Sequence, residues 1–173
     1  MDDEARLWAM LETAWEPLGA EVARARRDLA HRTPTAGEEL WGKPPLSVVE
    51  GALSGFLENL AAAGRDLPAE ELTRMDRVVE RLLHDIDRAD VHAVTDGSDD
   101  GFLYARGFIV ALGEEFYTAV TRDPHMAVLD AECERMCYFF ARLHNERFGD
   151  YPDTGSGISR ESCSNPEGWP ASA

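Results

Sequence analysis

Apolar residues recur three to four positions apart along most of the chain, which is the spacing of one face of an α-helix. The clearest case is residues 68–86, PAEELTRMDRVVERLLHDI, in which proline and acidic residues occupy the first turn. The apolar positions of this segment form one stripe: Leu72, Met75, Val79, Leu82, Leu83 and Ile86. The pattern predicts an amphipathic helix whose role is to pack into a core.

The other segments give helical signals as well, and no run alternates in the manner of a half-buried strand. Capping residues, prolines and glycines place the boundaries of these predicted elements at about 2–15, 17–31, 47–63, 89–95, 98–112, 114–120 and from 123 or 125 to 148. The sequence therefore predicts an all-α fold, a single compact bundle of six to eight helices that spans residues 1–148.

Two stretches lack this periodicity. Residues 32–46, RTPTAGEELWGKPPL, hold three prolines and two glycines and predict a long loop that covers a surface or a site, with Trp41 as its anchor. Residues 149–173 are rich in glycine, proline and serine and predict a coil tail, either packed or loose. In that tail Trp169 is a candidate to dock into a groove, and Cys163 is the one cysteine expected to be exposed.

The formal net charge of −16, with a sequence pI near 4.6, limits the classes of molecule that we expect the protein to bind. An acidic surface repels phosphate backbones and anionic lipid headgroups, so we expect neither nucleic-acid nor membrane binding, and it suits a basic protein partner. The acidic start MDDEARLW does not resemble a secretory signal, and no apolar run is long enough to span a bilayer. We expect a cytoplasmic bacterial protein, and the oligomeric state stays open.

Residues 95–108, TDGSDDGFLYARGF, invite comparison with a calcium-binding EF-hand loop. The comparison fails because Gly107 occupies the place of the closing bidentate glutamate. The alternative is a turn at residues 96 and 97 followed by a helix that Ser98 caps, with Asp99 and Asp100 in its first turn. Gly101, inside that helix, predicts a close approach of another backbone. No metal and no cofactor are expected.

Arg106 lies within a largely apolar helical run, where an arginine is rarely buried without a partner. We expect an ion pair with a carboxylate one or two turns away, from Asp99 or Asp100 or from the pair at 114 and 115. An arginine that binds an anion in a cleft is the alternative.

Titratable residues around this helix suggest the location of a site. His84 and Asp87, with His92, precede the acidic turn and could serve acid–base chemistry, or could lie on a solvated helix face. Because no catalytic motif accompanies them, no catalytic residue is assigned. The candidate ligand-binding residues are His92, Ser98, Asp99, Asp100, Phe102 and Arg106.

Cys133, Cys137 and His144 fall on one face if residues 125–148 form a continuous helix. Thiolate and imidazole ligands at this spacing could bind zinc or copper. The same face carries Leu129, Met136, Phe140 and Leu143, which favours core packing.

Residues 97–124 resemble a bacterial family of helical proteins, domain-of-unknown-function family 4240. Its members show the pattern Ser-Asp-Asp-x-Phe-x-x-Phe-Arg-x-x-Leu-Ile, followed by glycine, an aromatic residue and Asp-Pro. Here the matching residues are Ser98, Asp99, Asp100, Phe102, Arg106, Ile109, Val110, Gly113, Tyr117, Asp123 and Pro124. The resemblance extends over most of residues 1–148, while the 32–46 loop and the tail look like additions.

The resemblance implies an all-helical fold and no particular reaction; some relatives carry a molybdenum-regulator label. Two functions stay open. One is a non-catalytic binding or regulatory protein that acts on a protein partner, for example an immunity-type protein that neutralises a toxin. The other is an enzyme or small-ligand-binding protein with a polar site at the junction of residues 84–106, involving Asp99, Asp100 and Arg106.

Overall fold

The computed structural model describes residues 2–95 and 98–170, and these residues form helices and connecting segments without a strand. The α-helices are α1 (Asp3–Trp15), α2 (Ala20–His31), α3 (Leu46–Gly64), α4 (Ala69–Asp85), α5 (Ala89–His92), α6 (Asp99–Ala111), α7 (Glu114–Arg122), α8 (Glu134–Cys137) and α9 (Phe139–Phe148). Short 3₁₀ turns lie at Glu16–Leu18 and Pro124–Met126. The all-α prediction is confirmed. Within the described residues seven α-helices have at least nine residues, and α5 and α8 are single four-residue turns.

The predicted amphipathic helix is α4, and its whole apolar stripe is buried. It packs against α1, α6 and α9, while α3 packs against α1 and α2. In α6 only Asp99, Asp100 and Tyr104 are not buried, so this helix runs through the core. The bundle is therefore organised around α4 and α6, whose connection carries the candidate site.

Gly107 marks a close approach between α6 and a neighbouring backbone. A Cβ atom built on Gly107 would meet the Cys133 carbonyl oxygen at 2.5 Å and the Cys137 sulfur at 2.6 Å. The Cys133 amide also donates a hydrogen bond to the Tyr104 carbonyl at 3.0 Å. Glycine is thus required where α8 crosses α6.

The single helix predicted from 123 or 125 to 148 is wrong. Asp123 caps the 3₁₀ turn by accepting a hydrogen bond from the His125 amide at 3.0 Å, and Asp130 adopts a left-handed backbone with φ 59°. The short α8 then ends before Tyr138, whose non-helical backbone (φ −129°, ψ 21°) separates it from α9. The apolar spacing persists across the break because the segment lies on the core throughout.

None of the helices within the described residues combines the length and apolar character that crossing a bilayer requires.

Candidate functional site

The structure brings together only part of the predicted site at the junction of residues 84–106. Ser98 caps α6 by accepting a hydrogen bond from the Gly101 amide at 3.0 Å, as the sequence indicates, whereas the turn expected at 96 and 97 lies outside the described residues. Asp99 and Asp100 are exposed. His92 and Phe102 meet edge to face, with ring centroids 4.9 Å apart, and the Arg106 guanidinium lies 4.7 Å from the Phe102 ring.

The ion pair expected for Arg106 is absent from the described part of the chain. The side chain is fully buried, and its guanidinium donates to the Leu83 carbonyl at 2.8 Å, the Arg160 carbonyl at 3.0 Å and the Ser162 hydroxyl at 3.2 Å. Burial lowers the pKa of Arg106, and the charge of Asp87 acts in the opposite direction. Asp99 and Asp100 do not pair with it because their side chains, in the first turn of α6, face solvent.

Asp87 is fully buried, so the interpretation of it as a solvated residue is wrong. Its carboxylate accepts hydrogen bonds from the amides of Cys163, Ser164 and Asn165, at 3.0, 2.7 and 2.9 Å. The Trp169 indole N–H donates at 3.0 Å to Oδ1, the oxygen that also accepts from the Cys163 amide. One carboxylate therefore binds four N–H donors of the tail, an arrangement that stabilises a buried charge.

A second set of contacts between the tail and the bundle lies within α4, on the N-terminal side of Asp87. The Arg160 guanidinium pairs with Asp76 at 2.6 Å and with Glu80 at 3.6 Å, and it donates to the Cys137 carbonyl. Thr154 and Ser156 donate their hydroxyls to the same Glu80 oxygen, at 2.7 and 2.6 Å. Burial raises the pKa of Asp76, and the facing Arg160 opposes this shift.

We call the surface formed by Asp76, Glu80, Asp87 and Arg106 the tail cleft, because residues 154–169 fill it. The tail is packed against the bundle, and Trp169 docks on its own domain beside His92, with ring centroids 5.4 Å apart. Sequence reasoning did not identify Asp76, Glu80 or Arg160. Their signal was weak: Asp76 and Glu80 are one turn apart and border the apolar stripe of α4.

Two of the three cysteines are part of the core. Cys133 and Cys137 are buried, and the Cys137 thiol donates to the Leu103 carbonyl at 3.3 Å. Burial raises the pKa of Cys133 to about 11 and that of Cys137 to about 12. His144 lies in α9, where its Nδ1 contacts the Asp150 carbonyl at 2.8 Å, and no cluster of metal-ligating side chains occurs among the residues the structure describes.

A groove of about 1000 Å³ opens elsewhere, between the 32–46 loop and the segment that follows α7. We call it the loop groove; its lining residues are Pro34, Thr35, Ala36, Gly37, Glu38, Glu39, Leu40, Trp41, Ala93, Val94, Asp123, His125, Ala127, Val128, Leu129 and Asp130. Trp41 is 73% exposed and Leu129 is 59% exposed. The prediction that Trp41 anchors the loop is therefore wrong.

Arg32 is the anchor instead. Its guanidinium donates to Glu38 on the loop at 2.9 and 3.0 Å. On the facing wall it donates to the carbonyls of His125, Met126 and Ala127, at 3.3, 2.9 and 3.2 Å. One arginine thus connects both walls and fixes the shape of the loop groove.

Four acidic side chains line the loop groove. Glu38, Glu39, Asp123 and Asp130 lie on its lining, which includes no lysine or arginine among the described residues. Glu38 is paired with Arg32. The other three carboxylates are exposed, and two of them have exposed partners: Glu39 lies 3.5 Å from the Lys43 ammonium and Asp123 lies 3.1 Å from His125 Nδ1. The result is an apolar groove with an acidic rim.

Comparison with known protein families gives one match: residues 47–145 match the family described as "Protein of unknown function (DUF4240)". The chain belongs to this family. No curated protein and no solved structure matches the chain. The matched DUF4240 region contains the tail cleft and one wall of the loop groove, whereas the tail and the 32–46 loop lie outside it.

Proposed function

We propose that this DUF4240 protein is a non-catalytic binding protein, and that the loop groove takes a segment of a protein partner in which basic side chains flank an apolar one. The supporting observation is the juxtaposition of Trp41 and Leu129, both largely exposed, with an acidic rim. Large exposed apolar side chains within a polar rim are typical of protein interaction sites, and tryptophan is enriched among the residues that dominate binding.

Charge complementarity points to a basic partner. The rim carboxylates add to a chain whose formal net charge is −16, so a basic segment is attracted over a distance and an acidic one is repelled. We place this activity in the bacterial cytoplasm, on the grounds given by the sequence. Regulation or neutralisation of a basic partner by binding fits such a surface.

The alternative is an enzyme or small-ligand-binding protein with a site involving Asp99, Asp100 and Arg106. The geometry favours the binding function, because Arg106 is buried under the tail while Asp99 and Asp100 face solvent. Three cavities open on the described part of the chain with volumes of about 490 to 1000 Å³, and these residues are absent from the lining of each of the three.

A displayed library of short random peptides, selected on the full-length protein, tests the proposal. We expect selected peptides to carry arginine or lysine on both sides of an apolar residue, and to bind more weakly as salt increases. Trp41→Ala should weaken their binding by about 30-fold, which corresponds to about 2 kcal/mol for a residue that dominates an interface. Titration by fluorescence anisotropy measures this change.

Phe148→Ala is the matched control, because Phe148 is also an exposed aromatic residue but lies outside the lining of the loop groove. Binding should be unchanged in this variant. The proposal fails if the library yields no binder that Trp41→Ala weakens. Peptides or metabolites whose binding depends instead on Asp99 and Asp100 would favour the alternative.

A further inference from the structure

Residues 154–169 contact the bundle as a bound peptide does. This segment contains no helix or strand, and its buried residues are the polar Thr154, Arg160 and Asn165. Each is held by the tail cleft or its edge: Thr154 by Glu80, Arg160 by Asp76, and Asn165 by Asp87 and the His84 carbonyl. Its path is therefore set mainly by side chains of α4 and of the turn after it.

The tail cleft selects for arginine by its charge and shape. Asp76 and Glu80 are more than nine-tenths buried, and Arg160 is the cation within ion-pair distance of both. Its guanidinium also donates to the Cys137 carbonyl, so three acceptors surround one planar fork of donors. A lysine ammonium offers neither the reach nor the planar geometry for this arrangement.

Asp87 binds mainly main-chain donors. It accepts from three consecutive amides, those of 163, 164 and 165, which the left-handed backbone of Cys163 (φ 63°) turns toward one carboxylate. The indole N–H of Trp169 completes the set, and its ring lies 6.1 Å from that of Phe102. The cleft thus recognises an arginine, a turn of backbone and an aromatic residue in one extended segment.

We propose that the tail cleft is a peptide-binding site for an extended, arginine-bearing segment, and that residues 154–169 occupy it in cis. The site belongs to the matched DUF4240 region and its occupant lies outside that region. In trans the cleft takes an arginine-bearing segment of a partner protein. A tethered occupant has an effective concentration on the order of millimolar, so the partner segment binds when the tail is released. This site is separate from the loop groove.

A nicked form of the full chain tests the proposal. A protease recognition sequence inserted between Tyr151 and Pro152 lies where Tyr151 is 66% exposed and precedes every buried anchor of the tail. After cleavage we expect the tail fragment to stay bound during size-exclusion chromatography. A fluorescent synthetic peptide of residues 152–170 should then replace it in a saturable manner.

Variant peptides test the specificity. Arg160→Ala should weaken exchange by at least about 100-fold, because it leaves two buried carboxylates unpaired, and Arg160→Lys should weaken it to a smaller extent. Glu167→Gln is the matched control on an exposed residue and should bind like the parent peptide. In the nicked protein, Asp87→Asn should weaken binding of the parent peptide, whereas Asp85→Asn, at a mostly exposed neighbour, should not.

The proposal is overturned if the fragment leaves and the peptide does not replace it, or if the Arg160→Ala peptide replaces it equally well. Nicking could instead unfold the bundle, and hydrogen exchange of the uncut chain decides that case. We expect the amides of residues 163–165 to exchange by local opening, faster than those of α4. If both sets exchange only through global unfolding, the tail is an inseparable part of the fold and the proposal fails. Trp41→Ala should leave peptide exchange unchanged, which separates this site from the loop groove.

Discussion

The two long non-helical stretches, residues 32–45 and the tail at 149–170, have similar turn-forming compositions and opposite relations to the core. No residue of 32–45 is buried, and the loop projects Trp41 into solvent. The tail buries Thr154, Arg160 and Asn165 although it contains no helix or strand. Glycine and proline therefore indicate where a helix ends, but they do not indicate whether the following segment packs on the core or faces solvent.

The two stretches differ in burial because they contact different groups of the bundle. The loop is held mainly by Arg32, which contacts one carboxylate and several carbonyls at its base. The tail meets three buried carboxylates, Asp76, Glu80 and Asp87, and buried polar groups need hydrogen-bond or ion-pair donors in place of water. The exposed loop is thus available to bind a partner, while the tail supplies donors to the buried carboxylates of the bundle.

The largest expected effect is loss of the Arg160 ion pairs. Arg160→Ala leaves Asp76 and Glu80 buried without their cation, and we expect the free energy of unfolding to fall by about 3–5 kcal/mol. Urea denaturation followed by circular dichroism measures the change. The control is Arg142→Ala, which removes a half-exposed pair with Glu134 at 3.4 Å and should cost less than about 1 kcal/mol. Equal effects of the two variants would contradict the view that the tail is held by buried charge.

A tryptophan in each stretch allows the same substitution to be compared directly. Trp169→Ala removes a partly buried ring and a hydrogen bond to Asp87, and should lower the free energy of unfolding by about 2 kcal/mol. Trp41→Ala removes a ring that is 73% exposed, and should change it by no more than about 0.5 kcal/mol. Thermal and urea unfolding of both variants measure these values. A destabilising Trp41→Ala would mean that the loop packs more tightly than the structure shows.

The smallest expected effect concerns thiol chemistry and leaves stability unchanged. At pH 8 in the native protein a disulfide reagent should modify Cys163 alone, because this tail residue is exposed. Burial raises the pKa of Cys133 to about 11 and that of Cys137 to about 12, so both stay protonated, and therefore unreactive, at any pH below about 10. Raising the pH from 7 to 9 should speed the reaction of Cys163 and add no second site. Absorbance of the released thiolate counts the reacted groups, and all three should react in denaturant.

Periodicity and capping rules predicted most of the fold. The buried stripe of α4, the cap formed by Ser98 and the all-α class were all recognisable from local pattern, because they depend on residues within one or two turns of each other. The break in the helix between residues 123 and 148 could not be recognised from local pattern. The apolar spacing continues through this segment because it contacts the core along its length, although it is not one helix. The close approach predicted at Gly101 stays a prediction, and a close approach that the sequence did not indicate occurs at Gly107, where α8 crosses α6.

The surroundings of the candidate residues depend on tertiary contacts. His92, Phe102 and Arg106 do lie together, but the carboxylate that shapes their surroundings is Asp87 rather than Asp99 or Asp100. Arg32 and Arg160, the two arginines that fasten the loop and the tail, carry no local signal. Apart from Glu38, which is six residues from Arg32, their main partners are separated from them by long stretches of chain, so only folding reveals those contacts.

The sequence by itself determined the helical class, the positions of most helices, the acidic charge and membership of a family with a recognisable motif. These properties follow from local spacing and from composition, which folding does not change. Only the tertiary structure decided that the tail fills a charged cleft and that the 32–46 loop leaves an apolar groove open. The tail depends on buried carboxylates that meet Arg160 across the bundle, and the loop depends on Arg32, which joins the two walls of the groove. Folding itself creates the desolvation of the buried charges.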